Sequence, residues 1–230
     1  MPNVDHARRE LRLKVVYYGP GLGGKTSNLE HIHRETRPEM RGKLVTLNDA
    51  AERTLFFDLL PLELGHFKGY AVRVHLCTVP GQFALDRLRR LVLRHVDGIV
   101  MVVDSQHQRL QDNLESIRNL ETNLRLQGED PARMPTVVQY NKRDLPTAAG
   151  IATLQQALGI DPGMPQIEAV AVRGTGVFET FKAILTDCLA LIDDPRAIPA
   201  GRTPSIVPGQ RSSMFPEAEP PALHGYREGK

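Results

Sequence analysis

The stretch Gly19-Pro20-Gly21-Leu22-Gly23-Gly24-Lys25-Thr26 carries the pattern GxxxxGK followed by Ser or Thr, and the chemistry open to it is the holding of phosphate. Glycines let successive backbone N–H groups turn inward around phosphate oxygens, and a helix beginning near Lys25 adds its positive dipole end. Lys25 supplies a point charge, and the Thr26 hydroxyl can ligate magnesium. Gly19, Gly21, Leu22, Gly23, Gly24, Lys25, Thr26 and Ser27 are read as the phosphate set, with Lys25 also acting in catalysis. A glycine-rich turn with an incidental lysine is the blander reading; a strand-like run before the loop and a helical pattern after it weigh against that reading.

A second stretch, Asn141-Lys142-Arg143-Asp144, comes directly after the apolar run 136–140. A carboxylate there can accept both the N1–H and the 2-amino hydrogens of guanine, whereas adenine would face it with a lone pair. Asn141, Lys142 and Asp144 are read as guanine-binding, which selects GTP and GDP over ATP. Ala171, at the end of the run 166–171, is placed to offer its backbone N–H to the guanine O6. A third stretch, Thr78-Val79-Pro80-Gly81-Gln82, stands where a GTPase normally has DxxGQ. Gly81 would sense the γ-phosphate through its N–H and Gln82 would orient the attacking water. Thr78 occupies the usual aspartate position.

These residues need a scaffold that brings loop ends together. Leu11, Leu13, Val15 and Tyr17 alternate with period two, and 98–103 and 136–140 are short apolar runs suited to buried strands. Leu110, Leu114, Ile117, Leu120 and Leu124 recur at helical spacing, and 177–192 reads as a last helix. Residues 55–64 and 70–77, joined by a turn at 65–69, read as an antiparallel hairpin. The expectation is an α/β fold. It has a mostly parallel central sheet, one antiparallel hairpin edge and helices on both faces.

The 230 residues carry a net charge of +2 and two isolated cysteines, Cys77 and Cys188. That balance argues for no nucleic-acid partner, and the cysteines fit buried thiols in a reducing compartment rather than disulfides or zinc ligands. No run approaches the length of a membrane span, and neither terminus offers a lipid acceptor, so a cytoplasmic protein without its own membrane anchor is expected. Residues 194–230 hold seven prolines and four glycines among few apolar side chains. Residues 1–193 are therefore read as the folded domain and 194–230 as a disordered appendage. The arginines at 87, 89, 90 and 94 read as a solvated helix face, with Leu88, Leu91 and Val92 turned inward.

With GPGLGGKTS and the run Arg53-Thr54-Leu55-Phe56-Phe57-Asp58-Leu59-Leu60-Pro61, the sequence closely resembles the MglA family of bacterial Ras-like GTPases, polarity switches for surface motility. The resemblance covers about residues 11–192. It implies that the α/β fold takes the Ras-like P-loop form, that Thr54 reaches Mg2+ when GTP is bound, that Arg53 is an arginine finger supplied in cis, and that Gln82 holds the water. Thr78 matches the family's own departure from other small GTPases. Asp58 is read as the replacement carboxylate, acting on the metal through a bound water. The resemblance further implies slow hydrolysis of GTP alone and stimulation by a Roadblock-fold, MglB-like homodimer, with polarity or motility effectors downstream. Two rivals remain at this point: a GTP-binding interaction module with negligible hydrolysis, motivated by Thr78, and a P-loop kinase or ATPase, opposed by Asn141 and Asp144.

Overall fold

A computed structural model describes residues 3–46, 57–81 and 85–193. The central strands are those whose side chains are apolar on both faces. In β6 (Gly98–Asp104) every residue is buried, which is what a strand covered by helices on both sides requires. β2 (Glu10–Tyr18) runs parallel to β6 and to β5 (Tyr70–Thr78); β7 (Thr136–Asn141) continues parallel from β6, and β8 (Gln166–Glu168) from β7. β4 (Asp58–Phe67) pairs antiparallel with β5, and the short β3 (Val45–Thr46) pairs antiparallel with β4. The sheet order is β3-β4-β5-β2-β6-β7-β8, with β1 (Asn3–Asp5) antiparallel to β2 off that path.

Side-chain alternation sends each strand's residues into two cores. Val16 and Tyr18 of β2 and Ile99, Met101 and Val103 of β6 meet α2 (Asp86–Leu93), α3 (Leu110–Leu126) and α4 (Ile151–Leu158). Leu13, Val15 and Tyr17, with Val100 and Val102, meet α1 (Lys25–Glu35) and α5 (Val177–Asp193) on the other face. The expected layered α/β fold is thus present.

Three local expectations need correction. The hairpin turn is not spread over 65–69: β4 runs on to Phe67, and the turn is the pair Lys68 (φ 49) and Gly69 (φ 83). Positive φ at both central residues is the geometry whose twist matches two antiparallel strands. Gly65 lies inside the strand at φ 85, where the register shifts between Glu63 and His66; a glycine admits the extra residue of a bulge there. The run that ends at Ala171 is strand only to Glu168, and Ala171 opens a 3-10 turn, Ala171–Arg173. The strand β1 has no signal in the pattern, being a short hairpin partner of β2. On the expected hairpin, Leu55 and Phe56 lie outside the described residues.

Candidate nucleotide site

The parallel strands end on one edge of the sheet, and the loops leaving those ends carry the phosphate, guanine and switch residues. β2 delivers Gly19 to Gly24, after which α1 begins at Lys25. The loop is built so that no side chain fits. A Cβ on Gly19 (φ 143) would fall 2.2 Å from the Val102 carbonyl oxygen, and one on Gly24 (φ 96) 2.1 Å from Asn141 Nδ2. Leu22 also takes a left-handed φ of 61 and is 89% exposed, so its backbone, not its side chain, shapes the loop. Ser27 sits half-buried in the first turn of α1.

Lys25 is buried, and its Nζ donates to the carbonyl oxygens of Gly19 and Pro20 at 3.0 and 2.7 Å. Burial, and secondarily the charges of Arg89 and Arg109 against the pull of Asp58, lower its pKa to about 7. Arg109 donates to the Gly21 carbonyl at 2.6 Å and lies near the buried Asp104, so a second cation stands beside the loop.

β4 runs opposite to β5, so its first residue arrives at the edge where β5 ends. That residue is Asp58, wholly buried. Its Oδ2 accepts the Thr26 hydroxyl at 2.7 Å and the Thr78 hydroxyl at 2.9 Å. Its Oδ1 accepts the Thr46 hydroxyl at 2.9 Å, and its backbone N–H donates to Thr78 Oγ1 at 2.8 Å. The expected carboxylate is therefore beside Thr26, but it touches the hydroxyl directly. These oxygens suit a hard cation: a threonine hydroxyl that gives its hydrogen to a carboxylate keeps its lone pairs for a metal. Among the described residues no cluster of three or more His, Cys, Asp or Glu could hold a metal ion.

Asn141 ties two loops together. Its Nδ2 donates to the Gly23 carbonyl at 2.8 Å, and its Oδ1 accepts the Ala171 N–H at 2.9 Å. The Ala171 N–H read as a guanine donor thus points at Asn141. Lys142 adopts φ 64 and its Nζ donates to Asp104 at 2.7 Å. Asp144 pairs with Arg173 at 3.5 Å on a part-open surface.

Gly81 lies on the phosphate loop: a Cβ there would sit 2.3 Å from the Gly21 Cα. It is held by Arg89, whose Nη2 and Nε donate to the carbonyls of Gly81 and Pro80, both at 2.9 Å. Arg89 also reaches Asn119 on α3 and lies over the Tyr18 ring. This corrects the solvated-face reading at Arg89, which is fully buried, and at Leu91, which is 50% exposed rather than turned inward, while Arg87 and Arg94 are exposed as expected. Two carbonyls and an amide repay the guanidinium for lost water. Arg53 and Thr54 fall within residues 47–56, and Gln82 within 82–84, all outside the described residues.

Sequence reasoning did not find Thr46, Arg89, Asp104, Arg109 or Asn119. Asp104 had a usable signal, a carboxylate closing an apolar strand at the edge where α/β sheets bind ligands. Arg109 and Asn119 had none, since their partners Gly21 and Arg89 are remote in sequence, and nothing in the helical pattern sets the buried Arg89 apart from its exposed neighbours.

The profile of the ADP-ribosylation factor family matches residues 61–188. The mutual gliding-motility protein MglA of Myxococcus xanthus (strain DK1622) is 49% identical over 184 residues, which is 80% of this chain and 94% of that protein. The chain belongs to the MglA family of Ras-like small GTPases. It is accordingly a GTP hydrolase that switches between GTP and GDP forms, and the inert-module and ATPase readings lose their ground. No described helix is long and apolar enough to cross a membrane.

Proposed function

We propose that this GTPase is a magnesium-dependent timer in a polarity or motility circuit, with residues 1–193 as its catalytic domain and 194–230 as an appendage. The observation that carries the reading is Asp58, buried and gathering the hydroxyls of Thr26 and Thr78. Thr26 and Thr54 would hold Mg2+, with Asp58 orienting Thr26 in place of the aspartate absent at Thr78. When bound, magnesium supplies positive charge against the β- and γ-phosphates.

The chain's own residues do the rest. Backbone N–H groups of Gly19 and of Gly21 to Thr26, together with Ser27, cradle the phosphates, and Gly81 meets the γ-phosphate. Asp144 reads the guanine edge, Asn141 and Lys142 hold that loop, and the Ala171 N–H would have to leave Asn141 Oδ1 to reach O6. Gln82 positions a water in line with the γ-phosphorus. Lys25 and Arg53 meet the charge that grows as the bond to the leaving GDP breaks. Because Arg53 and Gln82 come from separate segments, an activator that holds both would speed the reaction. The family resemblance points to a Roadblock-fold, MglB-like homodimer, and the relative's name motivates gliding motility as the process served. Recruitment to a pole or membrane would run through such partners.

The test is GTP turnover with and without a Roadblock-type partner from the same genome. R53A and Q82A should keep GTP binding yet lose stimulated turnover by 100-fold or more, on the order of an arginine finger's effect. D58A and D58N should lose the magnesium-dependent part of nucleotide affinity while remaining folded by circular dichroism. Stimulated rates equal to the parent's would remove Arg53 and Gln82 from the mechanism, and D58A with intact magnesium dependence would remove Asp58.

A further inference from the structure

Between α2 and α3 lies an open groove of about 550 Å³ whose lining includes Arg87, Arg90, Arg94, Leu91 and Leu126. Leu91 is 50% and Leu126 64% exposed. Three cations and two exposed leucines, with no carboxylate among the described lining residues, fit a short acidic and apolar strip of chain. Arg90 does reach Asp86 at 3.4 Å, with both side chains about two-fifths exposed, and an exposed pair of that kind exchanges readily.

The chain itself contains such a strip. Between Arg211 and Arg227 the only carboxylates are Glu217 and Glu219, no lysine or arginine intervenes, and Met214, Phe215 and Leu223 flank them. The last turns of α5 pack across the sheet from the groove, near the loop that joins α2 to β6. Cys188 donates through its thiol to the Asp97 carbonyl at 3.3 Å, and Lys14, whose carbonyl accepts from the Asp97 N–H, donates through Nζ to the Arg94 carbonyl at 2.9 Å. Asp193 stands five residues beyond Cys188, roughly 7.5 Å of helix rise. Cys188 thus lies two hydrogen-bond links from the C-terminal end of α2, and the chain leaves α5 one and a half turns later.

We propose that residues 214–223 of this chain dock in the α2–α3 groove, Glu217 and Glu219 against Arg90 and Arg94, with the apolar side chains on Leu91 and Leu126. The 20 intervening residues, 194–213, have a maximum reach of roughly 66 Å, enough to bring the strip round the sheet to the groove. Such a tether holds the strip near the groove at an effective concentration on the order of millimolar. A free peptide or an anionic surface would have to outcompete it. Because Arg89 on the same helix grips Pro80 and Gly81, the docked strip competes with any partner that reads α2.

The test uses the full chain in its GDP form with a nitroxide on A218C. The native thiols do not compete for the label, since Cys77 and Cys188 are buried and burial pushes the Cys77 pKa up to about 11. Amide signals of 88–94 and 126–127 should lose at least half their intensity, while those of the β4–β5 turn should not. R90E/R94E should abolish the effect, and adding E217R/E219R to it should restore at least half. Uniform or absent broadening, or persistence in R90E/R94E, overturns the proposal. So does broadening that appears only when labelled and isotope-enriched chains are mixed, which would assign the groove to a second copy. The readout needs no turnover, so it stands or falls apart from the magnesium and activator reading.

Discussion

Lys25 is the residue whose state decides most. Held at a pKa of about 7 by burial, its ammonium would be stabilised by bound phosphates, so the bound form keeps its proton to much higher pH. Below pH 7 the lysine is charged in both states and affinity is flat with respect to it, whereas above pH 7 binding must take up a proton. Between pH 8 and 9.5, GDP affinity should fall by up to about tenfold per pH unit. Calorimetry in buffers of different ionisation heat should record an uptake near one proton at pH 8.5. The Asp58 arrangement makes a second prediction. Thr78→Asp would restore the usual motif but place a carboxylate against another that is already buried and supplied with hydroxyl donors. We expect T78D to lower stability by about 2–4 kcal/mol, the scale of uncompensated buried charge, and T78D/D58N to recover part of it in urea unfolding. T78D as stable as the parent would show that the pocket has room for both.

Among the elements, α2 separates what a pattern can tell from what it cannot. An arginine every few residues on a short helix looks the same whether its end is in water or inside. R89L would leave the Pro80 and Gly81 carbonyls without their donors and should cost about 3 kcal/mol. R87A, at an exposed position of the same helix, should cost under about 0.5 kcal/mol. Equal losses in the two would restore the solvated-face view. The phosphate loop, by contrast, was legible because its requirement is local: glycine where a Cβ would strike Val102 or Asn141, then lysine, then threonine. Asp58 was legible because Thr78 left a carboxylate missing and strand alternation from residue 55 onward puts Asp58 on the face of Thr54. Arg109 and Asn119 were not, since their partners Gly21 and Arg89 lie 88 and 30 residues away. The bulge at Gly65 resembled a turn because glycine serves both.

At the scale of the whole molecule, one edge of the sheet collects loops that are distant along the chain. Asn141 then joins two of them, the phosphate loop through Gly23 and the segment after β8 through Ala171. Ligand contact at this edge should therefore protect all these loops together. Hydrogen exchange on adding GDP should slow at 19–27, 78–81, 141–144 and 171–173 in concert, leaving the Lys68–Gly69 turn unchanged. The melting temperature should rise by about 8–16 °C at a thousandfold excess over the dissociation constant. In N141A, slowing at the first set without the last would mark that side chain as the coupling. The eight-stranded sheet also explains why fold class was the easiest part to read: its central strands are short, largely apolar and bounded by polar loops.

The β4–β5 hairpin carries one more consequence. Its ladder is counted from the Lys68–Gly69 turn, passes the irregularity between Glu63 and His66, and ends with Leu59 opposite Cys77. The irregularity sets two residues of β4, Leu64 and Gly65, against the single Val72 of β5, so deleting Gly65 would leave Leu64 opposite Val72 and Leu59 still opposite Cys77, with Asp58 aimed as before. The aim of that carboxylate is thus insulated from a turn roughly 30 Å away, because the irregularity between them takes up a one-residue change in the outer hairpin before it reaches the cation site.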